Sequence, residues 1–333
     1  MENARILVLV PTYNNASEID ATLESIWNQN YDKENIYVTA MDFGSTDGTY
    51  EKLLKHDRYH FGVYRNLQNA NPRLRLSYMA KMSRYTQPGG QYSFQTVLYP
   101  GNTLYSDFMK ICNDALISNW KDNPCMVVCE TDLYEEDGSV STQPSLFNED
   151  CAIDGSRDIT KFISRGYRHQ VQCMVPGFSD IFKRFDCESN ELRWWNKLYV
   201  RGLDRWVLYI KKPLACQKKV FYEDELDEIL LRWESIIAHL RGYLAKFGKI
   251  FDDGFEKKAK SNLAKYALWR SYLLASGENP SYKIAEDCFL LSSVISPSIV
   301  ESELYKNMEL YVMRHNVKIS SYLEEYFSTH GVS

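Results

Sequence analysis

Residues 6–55 read ILVLVPTYNNASEIDATLESIWNQNYDKENIYVTAMDFGSTDGTYEKLLK, and the succession of periodicities in this stretch decides the fold class. Ile6–Val10 is an unbroken apolar run, the pattern of a strand buried on both faces. Glu18–Gln29 then carries Ile19, Leu23 and Ile26 at helical spacing. A second strand is expected over Ile36–Met41 and a second helix over Gly48–Lys55. Working outward, Phe61–Tyr64 reads as a third strand and Leu74–Tyr85 as a helix stopped by Pro88-Gly89-Gly90. Tyr92–Leu98 reads as a fourth strand, Ser106–Asn119 as a helix and Met126–Cys129 as a fifth strand. Strand and helix in alternation imply an α/β domain, a Rossmann-like and mostly parallel sheet flanked by helices.

From about Glu223 the character changes. Residues 223–250, 256–276, 281–295 and 298–314 read as helices separated by Gly, Pro and Asn breaks, with no strand pattern among them. Leu226, Ile229, Leu230, Trp233, Ile237 and Leu240 recur every three or four positions and form one apolar face. The chain is therefore expected to divide into an α/β domain over 1–220 and an all-α domain over 221–333. The second domain carries Trp233, Phe247, Phe251, Trp269, Tyr272, Phe289, Tyr305 and Tyr311 on a few helices. So many large side chains exceed what a thin domain buries, which places homo-oligomer contacts there.

Composition sets the outer limits. With 44% hydrophobic and 25% charged residues in 333, the chain is neither disordered nor collagen-like nor a coiled coil. Its longest apolar run falls far short of the roughly 20 residues a membrane helix needs. The polar start and the exit into Pro11 do not match a secretory signal, so a cytoplasmic protein is expected, peripheral contact with the inner membrane face included. The net charge is 39 − 44 = −5, with Lys and Arg scattered among acids, which argues against a nucleic-acid partner. Eight cysteines without a Cys-x-x-Cys pair read as buried apolar fillers.

Chemistry concentrates where the first two strands end, in Pro11-Thr12-Tyr13-Asn14-Asn15 and in Asp42-Phe43-Gly44-Ser45-Thr46-Asp47-Gly48-Thr49. Ligands of open parallel sheets bind at the carboxyl ends of strands, where helix N-termini present free N–H groups. Thr12 and Tyr13 offer a hydroxyl and a flat ring. Asp42 offers an acceptor for a base N–H or a ribose hydroxyl, and Gly44 allows close backbone approach. Ser45, Thr46 and Asp47 are natural caps for the following helix. Turn and capping chemistry alone would explain either segment taken singly.

Taken together, the two segments resemble the opening of inverting nucleotide-sugar glycosyltransferases of the GT-A fold, the large family-two group. That group opens with a strand, Pro-Thr-Tyr-Asn, a helix ending at a Gln-based turn (here Gln29), and a second strand entering Asp-Asp-Gly-Ser-Thr-Asp-Gly-Thr. The resemblance is close over residues 4–55, looser to about 215 and absent beyond. It implies a GT-A catalytic domain followed by an added helical domain, with the donor bound by Pro11, Thr12, Tyr13, Asn14, Asp42, Gly44 and Ser45, of which Thr12, Tyr13 and Asp42 would contact its nucleoside. Phe43 departs from the pattern, standing where the second acid belongs.

The resemblance also implies an Asp-x-Asp at the end of the fourth strand, holding Mg²⁺ or Mn²⁺ against the donor diphosphate. The matching slot is Tyr99-Pro100-Gly101-Asn102, which has no acid; Asn102 offers only a carbonyl. The acid-x-acid nearby is Glu130-Thr131-Asp132, whose alternation sets Glu130 and Asp132 on one face of a strand. In place of a metal, Arg75 and Lys81 on the third helix would take the diphosphate, where the family sets an Arg. The family's general base falls in the region of Glu191, with Glu188 and Asp186 as rivals, ahead of Arg193-Trp194-Trp195. The activity implied is hexosyl transfer from a nucleotide-diphosphate sugar, a UDP-sugar, to a glycan, glycoprotein or lipid-linked acceptor. The missing acids support a different reading, a catalytically silent GT-A protein that binds sugar nucleotide or scaffolds other glycosyltransferases.

Overall fold

The computed structural model describes residues 4–56, 58–66, 93–122, 124–135, 137–143, 145, 147–154, 171–176, 206–218, 255–277 and 280–330. Two compact units divide the chain, one of residues 1–156 and 169–221, the other of 157–168 and 222–333.

In the first unit the described elements are β1 (Ile6–Thr12), α1 (Ile19–Trp27), β2 (Ile36–Asp42), α2 (Thr49–Lys55), β3 (Phe61–Arg65), β4 (Phe94–Val97), β5 (Thr103–Leu104), α3 (Phe108–Ser118), β6 (Met126–Tyr134), β7 (Val140–Thr142), β8 (Cys151–Asp154), β9 (Val171–Pro176) and β10 (Trp206–Lys218). They form one sheet in the order β3-β2-β1-β4-β9-β6-β10-β5, with β7 on β6 and β8 on β10. Every residue of β1 is buried, because it is a central strand with a core on each face. Ile6, Val8 and Val10 pack with Ile19, Leu23 and Ile26 of α1 and Phe108, Cys112 and Leu116 of α3. Leu7 and Leu9 point the other way, to Met41, Phe43 and Val97. This two-sided burial explains the unbroken apolar run, and each such side chain stabilises the fold by roughly 1.5–3 kcal/mol.

β1 pairs in parallel with β2 on one side and β4 on the other, so the strand order reverses between β1 and β4. The ladder to β4 ends at Leu9 and Val97, while the ladder to β2 runs on to Thr12 and Asp42. Leu9 accepts from Leu98 on the β4 side, and Pro11, two residues on, faces the same way. The N–H that Pro11 lacks therefore costs no ladder bond, since β4 has already ended there. A crevice opens between the two strand ends, the usual ligand position in such sheets.

Strands β1–β4, β6 and β10 run parallel, and β5, β7, β8 and β9 antiparallel. β9 was not expected: it slots between β4 and β6, pairing Phe94 with Pro176 and Val127 with Met174. The fifth strand runs five residues past its expected end at Cys129, because β10 pairs with it as far as Tyr134 across register shifts around Pro213. Glu130 and Asp132 thus lie inside a strand. The helix expected over 74–85, with Arg75 and Lys81, lies outside the described residues.

The second unit holds α4 (Phe255–Ser276), α5 (Tyr282–Ile295), α6 (Glu303–Val312) and α7 (Ser320–His330). The helix expected over 298–314 splits into a 3₁₀ turn, Pro297–Glu301, and α6. Ser302 causes the break: its Oγ accepts the Tyr305 amide at 3.2 Å and restarts the helix as an N-cap. The expected helix over 223–250 lies outside the described residues. α7 was missed; Leu323 and Phe327 mark its buried face, with Tyr322 and Tyr326 packed against the same core. Tyr272 and Phe289 are buried in this unit's own core with Leu268, Leu304 and Met308, and Trp269, Tyr305 and Tyr311 pack against it. The aromatics expected to face a partner are, where described, largely used internally.

Among the described cysteines, Cys112, Cys125, Cys129, Cys173, Cys216 and Cys288 are buried and Cys151 is partly buried. Burial pushes the Cys112 and Cys173 thiols well above their usual range, as fits apolar fillers. Among the described residues no helix is long and apolar enough to cross a membrane.

Candidate active site

The loops after β1 and β2 are laced into one body. Asn14 donates its amide to Ser45 Oγ at 2.9 Å, and the Thr46 amide returns a bond to Asn14 Oδ1 at 3.0 Å. The Asn15 amide reaches Thr49 Oγ1 at 2.8 Å, and the Ala16 amide reaches Asp47 Oδ2 at 2.9 Å. Asn14 adopts φ +54, a left-handed conformation that Asn tolerates better than most side chains. Ser45, Thr46 and Asp47 were expected to cap α2; its N-cap residue is Gly48, which makes no side-chain cap bond. Ser45 serves the first loop. Asp47 divides its carboxylate between the Ala16 amide and the amide and hydroxyl of Thr49. Desolvation pushes the Asp47 carboxyl up, but the bonds from Thr49 and Ala16 outweigh it and hold the group below its usual range.

Asp42 is the anchor of this body. It is fully buried, and its carboxylate accepts the Gly44 amide at 3.2 Å and the Ser45 amide at 3.1 Å. Arg65 Nε stands 3.3 Å from the same oxygen. Arg65 ends β3 directly beside Asp42 in the parallel register, reaches the Ser45 carbonyl at 3.2 Å, and lies 4.3 Å over the Tyr50 ring. Sequence reasoning missed Arg65; the available signal was an opposite charge at the matching end of the next strand. Thr12 is buried and gives its hydroxyl to the Met41 carbonyl at 3.2 Å, while the Phe43 amide returns to the Thr12 carbonyl. Tyr13 is half-buried beside Phe43, and its amide bonds to Asn15 Oδ1 at 2.8 Å. Phe43 itself is fully buried. Its side chain lies in the core, so the second acid of the family pattern is replaced by packing.

Residues 7–78 match the family model described as "Glycosyl transferase family 2". This stretch is thus similar to family-two glycosyltransferases, and the sheet with its flanking helices has the GT-A fold. No curated protein matches the sequence. Solved structures do match in fold. S. aureus TarS 1–349 has a TM-score of 0.58 at 13% identity, covering 98% of this chain and 92% of that one. S. aureus TarS gives 0.60 at 14% identity, over 97% of this chain and 55% of the other. S. aureus TarS 1–349 in complex with UDP-GlcNAc gives 0.56 at 13%, over 98% and 92%.

In the α/β unit the slot after β4 forms a turn tied down on three sides. The Asn102 amide closes on the Tyr99 carbonyl at 3.0 Å. Thr22 of α1 is fully buried; its hydroxyl accepts the Gly101 amide at 3.0 Å and donates to the Asn102 carbonyl at 2.9 Å. Asn102 Oδ1, the side-chain oxygen within this turn expected to reach a cation, accepts the Lys218 amide at 2.9 Å. Glu130 is buried and accepts a short hydrogen bond from Tyr209, and Asp132 accepts from Tyr105 at 2.6 Å and Thr142 at 2.9 Å. Burial and the Asp132 bond push the Tyr105 phenol up. No group of three or more His, Cys, Asp or Glu side chains placed to hold a metal occurs among the described residues. Tyr99, Pro100, Gly101 and Asn102 bring no carboxylate to the turn. Glu191, Glu188 and Asp186 lie outside the described residues, as do Arg75 and Lys81.

Proposed function

We propose that the family-two domain transfers a sugar from a nucleoside-diphosphate donor, a UDP-sugar, to an acceptor hydroxyl with inversion. The observation that carries this reading is the pair of laced loops at the ends of β1 and β2, with Thr12 and buried Asp42 level in the ladder and Arg65 beside Asp42 at the end of β3. The fold shared with the UDP and UDP-GlcNAc complexes of S. aureus TarS supports it. In such a transfer a carboxylate takes the acceptor proton while the acceptor oxygen bonds to the anomeric carbon. The bond from that carbon to the diphosphate oxygen breaks, and the nucleoside diphosphate leaves. Glu191 is the proposed base, with Glu188 and Asp186 as the neighbouring carboxylates to test beside it. Glycan, glycoprotein and lipid-linked hydroxyls are the acceptor classes, and a cytoplasmic site at the inner membrane face belongs to the same proposal. Activity is expected to persist in EDTA, since the described residues around the slot offer no acid set for a cation.

The test is calorimetric titration with UDP, GDP, CDP and their nucleosides, followed by donor hydrolysis across common nucleotide sugars with and without Mn²⁺. UDP binding with release of UDP from a donor sugar supports transfer. A second reading, a silent sugar-nucleotide binder or scaffold, is favoured by the acid-free Tyr99–Asn102 turn and the buried Phe43. Nucleotide binding with no turnover of any donor would select it. A homo-oligomer through the C-terminal helices is supported by Leu290 and Val294, one turn apart on α5 and 48% and 75% exposed.

A further inference from the structure

We propose that Lys218 is the cation that meets the donor diphosphate, in the place where the family pattern calls for a metal. The inference rests on the nucleotide-sugar reading above and adds to it the group that neutralises the phosphates.

Lys218 is the last residue of β10, and its backbone is pinned to the slot because its amide donates to Asn102 Oδ1. Its side chain then runs across Gly101. A Cβ built on Gly101 would stand 2.8 Å from Lys218 Cε and 3.0 Å from Cδ, and Gly101 holds φ +89. Glycine thus meets two local demands: a left-handed turn, and room for the lysine stem against the backbone. The ammonium pairs with Glu18, whose other carboxylate oxygen accepts from Asn15 Nδ2 at 3.1 Å in the first strand-end loop. A chain of contacts accordingly runs from the loop after β1, through Glu18 and Lys218, to the acid-free turn after β4. These are the two rims of the crevice in which the donor is proposed to lie.

The chemistry fits a diphosphate. Lysine binds phosphate as a compact point charge with three donors, needing neither the planar fork of Arg nor an acid cage. The Lys218 side chain is 56% exposed, so it is accessible to ligand, and a single pair of this exposure contributes little to stability. Glu18 holds the ammonium in place and competes with phosphate for it. In transfer, Lys218 stabilises the negative charge that builds on the diphosphate oxygen as the bond to the anomeric carbon breaks.

The experiment compares UDP with uridine on the full chain, by calorimetry, in EDTA and in Mn²⁺. Lys218→Gln is expected to weaken UDP about tenfold and to leave uridine unchanged, whereas Lys218→Arg keeps most of the UDP affinity. Glu18→Gln retains the acceptor for Asn15 but removes the competing charge, so UDP affinity should rise several-fold, and the double variant should lose that gain. Because the Lys218 amide survives all of these changes, the turn keeps its anchor, and far-ultraviolet circular dichroism checks the fold. UDP binding by Lys218→Gln equal to that of the unmodified chain overturns the inference and leaves a surface ion pair. So does UDP binding that disappears in EDTA. If the unmodified chain binds neither UDP nor uridine while intact, the donor reading itself fails, and Lys218 with it.

Discussion

Asp42 couples structure and ligand binding in one side chain. Its carboxylate is fully buried and orders two amides and Arg65. Asp42→Asn turns one acceptor oxygen into a donor facing other donors. A loss of about 2–3 kcal/mol is expected in urea unfolding, together with at least tenfold weaker UDP binding. Equal stability with lost binding would mean that the carboxylate contacts only ligand. Tyr31 gives a prediction in pH. Burial pushes its phenol up to about 12, and its hydroxyl donates to the Ala4 carbonyl at 2.7 Å. A folded-state value above the unfolded one, near 10, contributes stability that is complete below pH 10 and is lost as pH rises toward 12. Tyr31→Phe should flatten the fall in melting temperature between pH 10 and 12 relative to the unmodified chain.

At the scale of elements, α1 does more than cover the sheet. Thr22 faces the turn after β4 and satisfies both a donor and an acceptor of its backbone. Thr22→Val keeps the volume and removes both bonds, leaving two partly buried backbone groups without them. The expected cost is about 1–3 kcal/mol in chemical unfolding, and a smaller loss than 0.5 kcal/mol would show that the turn holds without α1. Strand lengths also depended on partners. Met126–Cys129 is legible as a strand because it is apolar, but the five residues to Tyr134 are mostly polar and become strand by pairing with β10 on one side and with β9 and β7 on the other. β9 escaped reading for a related reason: its second residue is Gln172, whose amide serves Thr96 Oγ1 and the Val97 carbonyl, breaking the apolar pattern.

At the scale of the molecule, the helical unit builds a core of its own from α4 to α7. Among the described residues it leaves Leu290 and Val294 of α5 exposed. Light scattering of the full chain should report an oligomer, and Val294→Asp with Leu290→Asp should reduce its mass to that of one chain. A single-chain mass for the unmodified protein would end that proposal. The aromatic count alone overstated this surface, because Tyr272, Phe289 and Tyr305 fill the unit's interior.

The sequence by itself determined the elements of residues 4–55 and the two loops that lie at adjacent strand ends. Their signals are local: an apolar run for a strand with two cores, a period near 3.6 for a helix face, and Pro, Gly, Asn and Asp where the chain must turn. It also showed Tyr99–Asn102 to be without acids. Only the tertiary structure decided which distant groups meet. Asp42 finds Arg65 because β2 and β3 pair in parallel with their ends level. Lys218 finds Glu18, 200 residues earlier in the chain, because β10 ends beside the turn that α1 holds. Such meetings depend on strand order, and strand order is set by the burial of whole faces rather than by any neighbourhood along the chain.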